Sequence, residues 1–431
     1  MSDASPAEAL FRGKVMLAPM VRAGTLPLRL LALHYGADTV YSEELIDLKV
    51  AKLSRVENGV LGTVDFVLAS GAQPVVTFRT DPSKERGRLV FQLGSASPAS
   101  AVAAARVVAD DVDGIDLNMG CPKRFSLQGG MGAALLKDSD RAASIISALR
   151  RELPARVAVS CKIRLLEDTA STVALVRKLV AAGAQAVAVH LRQVDTEYKV
   201  PADWTQMRAI MTAVDVPIIA NGSIFEHADL AKLRLAAGDS LTEPRLGLMV
   251  ARGALINCSM FRAEQEPLDL VGRRYLRLCA LGANVIQNAK YTLQRMVQEN
   301  DARTAAALGA HRSVQRLCQC KSMRDLVLAW CLMDVHGCAP LYGAESAELG
   351  RDALIAALER QPAPAAQDDG RAYSDEYILD GAGRMGHGGA AAVVSVEGGE
   401  QDDAERERNA IGSAGVEQPT AKRAKVMGAG A

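Results

Sequence analysis

Aromatic residues are scarce: two Trp, eight Tyr and seven Phe make up 4% of the 431-residue chain. That weighs against an aromatic-rich β-sandwich. No run of eighteen apolar residues occurs, so no transmembrane helix and no membrane partner is expected. The first ten residues lack the basic segment and apolar stretch of a secretory signal. They carry Asp3 and Glu8, which a mitochondrial presequence avoids. The eight cysteines are dispersed rather than gathered into a disulfide framework. A reducing, cytoplasmic compartment is the expectation. The chain also lacks net charge, with 50 Lys+Arg against 50 Asp+Glu. Taken whole, that disfavours a strongly basic nucleic-acid binder.

The zero is a cancellation. Residues 361–431 hold twelve acids, seven bases and twelve of the 36 glycines. Too little apolar mass is present there to offset ordering entropy, so a disordered tail is expected. The remaining residues carry +5. Within them, Arg262 to Asp325 contributes eleven bases and six acids. That stretch is rich in helix formers and reads as a separate helical domain. Its bases suit either a solvated helix face or phosphate contact. At 49% hydrophobic and 23% charged, the chain as a whole has the composition of a globular protein.

Between residues 14 and 260, eight short apolar runs alternate with segments of helical spacing. The runs begin at Val15, Thr39, Leu89, Gly114, Val157, Ala186, Pro217 and Gly247. Continuous apolar strands separated by helices imply a parallel sheet covered on both faces. Eight units in about 245 residues fit a (β/α)8 TIM barrel. An open doubly wound sheet fits less well, because no Gly-x-Gly-x-x-Gly follows the first run. Extra strands are expected between the second and third barrel strands, in Val56–Arg88. The expected organisation is therefore a flexible N-terminus (1–13), the barrel (14–260), a small all-helical domain (261–350) and a disordered tail (351–431).

A TIM barrel places its chemistry at the C-terminal ends of the strands. Those ends carry Pro19, Met20, Gln92, Asn118, Cys121, Lys162, Arg164, His190, Arg192, Asn221, Gly222, Ser223, Ala251 and Arg252. Taken singly, each has a bland reading: a satisfied structural His, a paired Lys, a core Met. Gathered on one face, they indicate a site. Small residues and an Arg after the seventh and eighth strands suit a phosphorylated cofactor. A Lys and a Gln deeper in suit hydrogen bonds to a flavin ring. Cys121 lies in a glycine-rich loop and suits a nucleophile or a general acid. No His or carboxylate cluster is present at the mouth, so no metal is expected there. The spacing of Cys318, Cys320, Cys331 and Cys338 fits no zinc pattern.

Several motifs together resemble the tRNA-dihydrouridine synthases. They are Leu17-Ala18-Pro19-Met20, Asn118-Met119-Gly120-Cys121-Pro122, Gly129-Gly130-Met131-Gly132, Cys161-Lys162-Ile163-Arg164 and the Asn221-Gly222 turn. Tyr41-Ser42-Glu43-Glu44-Leu45-Ile46-Asp47 is most similar to the eukaryotic subclass acting on uridine 20. The resemblance implies an FMN-bound barrel, a helical tRNA-binding domain, and NADPH-dependent reduction of a uridine C5–C6 double bond. It implies Cys121 as general acid. It implies cofactor contacts from Pro19, Met20, Val21, Gln92, Lys162, His190, Asn221, Gly222, Ser223, Ala251 and Arg252. Substrate contacts are implied for Asn118, Arg164, Arg192, Arg273, Arg274, Arg277 and Lys290. A monomer is expected. Two departures stand out: Leu191 where the family often has Gly, and Ser223 where its turn often has a second Gly. No double-stranded-RNA-binding domain is expected in residues 351–431. Lys422-Arg423-Ala424-Lys425 is a candidate nuclear signal. Rival readings are an FMN-dependent oxidoreductase of a free pyrimidine and a tRNA-binding protein without catalysis.

Overall fold

The computed structural model describes residues 5–69, 74–298, 313–331 and 351–360. In chain order its strands are β1 (Val15–Leu17), β2 (Thr39–Ile46), β3 (Ser54–Asn58), β4 (Thr63–Leu68), β5 (Val75–Thr80), β6 (Leu89–Gly94), β7 (Gly114–Asn118), β8 (Ala158–Arg164), β9 (Ala186–His190), β10 (Ile218–Asn221) and β11 (Gly247–Val250). All eight expected runs become barrel strands. They close in the order β1-β11-β10-β9-β8-β7-β6-β2, with every neighbouring pair parallel. The irregular stretch after β2 forms a separate antiparallel sheet, β3-β4-β5.

The helices outside the barrel follow from caps and apolar spacing. Ser139–Glu152 starts where the Asp138 carboxylate accepts from the Arg141 N–H, and buries Ala142, Ile145, Ile146 and Leu149. Thr169–Ala181 starts at Asp168, which caps Ser171, and buries Thr172, Leu175, Val176 and Leu179. Inside the barrel, bulky Met16, Tyr41 and Met249 interlock with Ala158, Ala186 and Ala188. Alternation of large and small side chains fills the closed cylinder.

Two boundaries differ from expectation. Residues 1–13 do not form a wholly flexible lead, because Pro6–Phe11 is a helix capped by Ser5. Its Ala7, Leu10 and Phe11 are buried and join the barrel-interior cluster, closing the floor. Arg234 Nη2 donates to Gly13 O at 2.9 Å and fixes the entry to β1. Six residues are too few to reveal a periodicity, so the sequence pattern hides this plug. The helical region also extends past 350. Arg351–Glu359 is a helix that buries Leu354 and Ala357 and packs on Leu268–Leu281 and Met323–Trp330. Residues 361–431, with Lys422-Arg423-Ala424-Lys425, lie outside the described residues, as do Arg312 and Cys338. Among the described residues, no helix is long and apolar enough to cross a membrane.

A buried ionic network ties three parts together. Arg29 is 1% exposed and makes two bonds to Glu85, at 2.6 and 3.1 Å. The same guanidinium donates to Gly24 O and Arg79 O. Arg79 on β5 pairs with Asp65 on β4 at 2.6 Å and donates to Gly282 O, at the end of helix Leu268–Leu281. The extra sheet thus joins a barrel helix to the helical region through charged groups whose hydrogen-bonding capacity is largely filled.

Phe11→Ala should lower unfolding stability by about 3–5 kcal/mol, the usual cost of emptying a buried Phe site. Urea denaturation measures it. A loss under about 1 kcal/mol would mean the floor helix is dispensable.

Candidate active site

Parallel closure brings the expected mouth residues onto one face. Cys121 follows β7 on a half-buried loop. Asn118 Oδ1 accepts from the N–H groups of Gly120 and Cys121, at 2.9 and 3.1 Å. The loop's carbonyls are held as well: Arg164 Nε donates to Gly120 O at 2.8 Å, and Ala133 N to Cys121 O at 2.9 Å. Gly132 permits that last approach. Its φ is +56°, and a Cβ there would lie 2.7 Å from Cys121 O and 2.3 Å from Ser126 Oγ. Burial pushes the Cys121 thiol above its usual range, and the Glu44 carboxylate pushes it further. The sulfur is therefore held as S–H at neutral pH.

Beneath the loop lies a buried polar layer. Gln92 Nε2 donates to Asp116 Oδ2 at 2.8 Å, and Ser160 Oγ to Asp116 Oδ1 at 2.7 Å. Burial raises the Asp116 carboxyl to about 6 despite these bonds and the nearby Lys162. Lys162 is lowered to about 8, first by burial and then by Arg164, against the pull of Asp116, Cys121 and Glu44. Pro19 and Met20, half-buried, and Val21, exposed, form the turn after β1 beside this layer, with Gly24 N donating to Met20 O.

The ends of β9, β10 and β11 enclose a cavity of about 200 Å³. His190, Arg192, Asn221, Gly222, Ser223, Ala251 and Arg252 line it, and no carboxylate does. Arg192 Nη1 donates to His190 Nε2 at 3.1 Å, and Arg192 Nη2 to Ser223 Oγ at 2.8 Å. Burial and four cations, Lys162, Arg164, Arg192 and Arg252, drive His190 down to about 2. The imidazole is neutral, and the pocket is a concentration of uncompensated positive charge. Arg252 is sandwiched between the rings of Tyr198 and Phe225, at 5.5 and 5.0 Å. Asn221 Nδ2 donates to Met249 O, which steadies the turn. Gly222 has φ +118°, and a Cβ would lie 2.9 Å from Ala202 Cβ.

Ser223 replaces a glycine of the resembled turn at φ +55°. Its hydroxyl accepts from both Arg192 and Ala202 N, which offsets the strain of that backbone. Leu191, the other departure, is fully buried in the core.

The expected substrate contacts divide. Asn118 and Arg164 lie at the mouth, but the Asn118 carbonyl and the Arg164 guanidinium are engaged in bracing the Cys121 loop. Arg192 belongs to the cationic cavity and is 4% exposed. The helical bases have protein partners of their own. Arg273 is 6% exposed and pairs with Asp269 four residues earlier. Buried there, it has no surface to offer a phosphate. Arg274 pairs with Glu266, and Lys290 Nζ donates to the carbonyls of Cys318 and Cys320. Arg277 is half-buried and also engaged. Exposed bases sit instead beside the site, at Lys123, Arg124 and Lys199. Charge counting finds bases but not their partners.

Sequence reasoning assigned no role to Glu44, Asp116, Tyr198 or Phe225. Glu44 lies inside the Tyr41–Asp47 motif, but a β-bulge between Tyr41 and Glu44 shifts which side chains face the mouth.

The family model described as "Dihydrouridine synthase (Dus)" matches residues 16–323. Over 298 residues the chain is 42% identical to the tRNA-dihydrouridine(20) synthase, NAD(P)+, of Schizosaccharomyces pombe, covering 67% of this chain and 60% of that protein. It is 38% identical over 301 residues to the enzyme of the same name from Saccharomyces cerevisiae, covering 67% of this chain and 78% of that one. A mouse tRNA-dihydrouridine(20a/20b) synthase-like protein is 27% identical over 316 residues, covering 72% and 90%.

Asp116 binds its proton more tightly in the folded chain than in the unfolded one. Stability should therefore fall as pH rises from about 4 toward about 6, on account of this group alone. In Asp116→Asn, unfolding free energy measured across that range should lose this component of its slope. Identical slopes in both proteins would remove the raised carboxyl from the account.

Proposed function

As the chain belongs to the dihydrouridine synthase family, we propose that it reduces the C5–C6 double bond of a uridine in tRNA, with NADPH as reductant, FMN as bound flavin and uridine 20 as target. The observation that carries this reading is a loop-held, protonated Cys121 thiol at the same barrel mouth as an acid-free cationic cavity. The residues present fit FMN. The cavity's cations face a neutral imidazole and call for an anion such as a phosphate. Arg192, Ser223, Ala251, Arg252 and the Asn221-Gly222 turn would hold the phosphate. Lys162 and Gln92, with Pro19, Met20 and Val21 beside them, would hold the ring, and His190 would border it. The chemistry FMN supplies there is hydride for uracil C6, replenished from NADPH.

This chain's own residues do the rest. Negative charge develops on C5 and the C4 carbonyl as C6 gains hydride. Cys121 gives its S–H proton to C5, and the C5–H bond forms as S–H breaks. Asn118 holds the loop through its carbonyl oxygen. Arg164 holds the Gly120 carbonyl of the same loop. The target base reaches this recessed site only by leaving the tRNA stack. Lys123, Arg124 and Lys199 on the rim take phosphates, while Arg273 secures the helical region.

The test is dihydrouridine formed in unmodified tRNA by purified protein with NADPH, mapped by position. Wild type should reduce uridine 20. Cys121→Ala should keep its flavin and lose turnover by about 10²-fold or more. Reduction of free uridine with tRNA untouched would replace this reading, and so would full turnover by Cys121→Ala. Charge reversal of Lys123 and Arg124 should weaken tRNA binding about tenfold or more and reduce its salt dependence. An unchanged salt slope would remove the rim from the binding surface.

A further inference from the structure

We propose that Glu44 is a positioning residue for Cys121: it keeps the sulfur protonated and returns a proton to it after each turnover. This rests on the function proposed above.

Glu44 stands on β2 beyond the bulge, level with Gln92 of β6. It is 5% exposed, and its carboxyl interacts with the Asn118 side chain and the Cys121 thiol. Its Oε1 is buried without a hydrogen-bond partner. Gly94 makes room for that oxygen, since a Cβ there would lie 2.7 Å from Oε1. The groups facing it are Cys121 and Lys123 from the loop after β7, Asn118 from the end of β7, and Lys162 from β8; Gln92 is its register neighbour on β6.

An unpartnered, buried carboxylate oxygen is costly, and a proton on the group relieves that cost. Burial raises Glu44 to about 7, with Asn118, Cys121, Lys123 and Lys162 opposing. Near neutral pH the group thus holds a proton part of the time and can release it. Asn118 contacts this carboxyl and also pins the Cys121 backbone, so one amide sets both acids in place.

The proton balance closes. When Cys121 gives its proton to C5, a thiolate remains beside a carboxyl. The Glu44 O–H bond breaks, the S–H bond re-forms, and a carboxylate is left facing Lys162 and Lys123. Water reprotonates it once the product has gone. No electrons move in these steps, because the hydride has already been delivered.

Glu44→Gln keeps the shape and removes the titration. Two readouts test the proposal in the full chain. The first is iodoacetamide alkylation of Cys121 against pH, followed by mass spectrometry without substrate. Loss of the carboxylate should bring the thiolate out at lower pH and speed alkylation at fixed pH by about three- to tenfold. The second compares one turnover with many. Glu44→Gln should complete its first turnover on tRNA at close to the wild-type rate, because Cys121 starts protonated. Its kcat should then fall about tenfold or more, with KM little changed. A purely structural role would slow the first turnover as well. Wild-type alkylation together with a wild-type kcat would overturn the proposal, and so would an equal loss in first and later turnovers. If the wild type reduces no tRNA, the proposed function fails, and the alkylation comparison still decides whether Glu44 sets the state of Cys121. If Glu44→Gln does not fold, Glu44→Asp takes its place. It should shift the pH dependence of alkylation, and an unshifted curve overturns the proposal.

Discussion

Closure of a parallel barrel is the constraint on which everything else depends. Once eight strands run in one direction around a filled cylinder, all their C-terminal ends must emerge on one face. Residues from 18 to 252 then meet within a single mouth, although almost the whole barrel sequence separates them. The filled interior also keeps water from beneath that face. Charges there are desolvated together, and each shifts the others. Asp116, Glu44, Lys162 and His190 depart from their ordinary ranges because they share one poorly hydrated layer.

The layer divides into two electrostatic halves. Around Cys121, burial and then the Glu44 carboxylate favour retention of a proton. Around the cavity at the ends of β9 to β11, arginines exclude one, and even the imidazole stays neutral. Lys162 interacts with both halves. Such a division suits the proposed function, in which a proton is given at one point of the mouth and an anion held at another.

The barrel was readable in the sequence because strands buried on both faces are written as continuous apolar runs, and none of the eight was misplaced. The mouth residues followed from the strand ends. Three features did not follow. The Pro6–Phe11 helix is too short to show a period. The role of Glu44 depends on a bulge, which is a backbone irregularity that composition does not encode. The bases of the helical region looked available because sequence shows charge and not its partner. Asp269, one helical turn before Arg273, was the signal that pairing was possible, and burial made the pair structural.

The floor helix has a consequence for how the chain comes to be folded. It precedes every barrel strand in the chain, yet its surroundings come from strands all round the barrel, including the last ones. Gly13 is bonded to Arg234 and Arg245, and Phe11 O lies against Gly247. More than two hundred residues separate it from these last contacts, so its cover is completed only when the final strands are in place. Until then Leu10 and Phe11 are exposed to any chaperone or neighbouring nascent chain, and the barrel cannot be sealed from below. Assembly of the barrel thus ends at the element that precedes all of its strands.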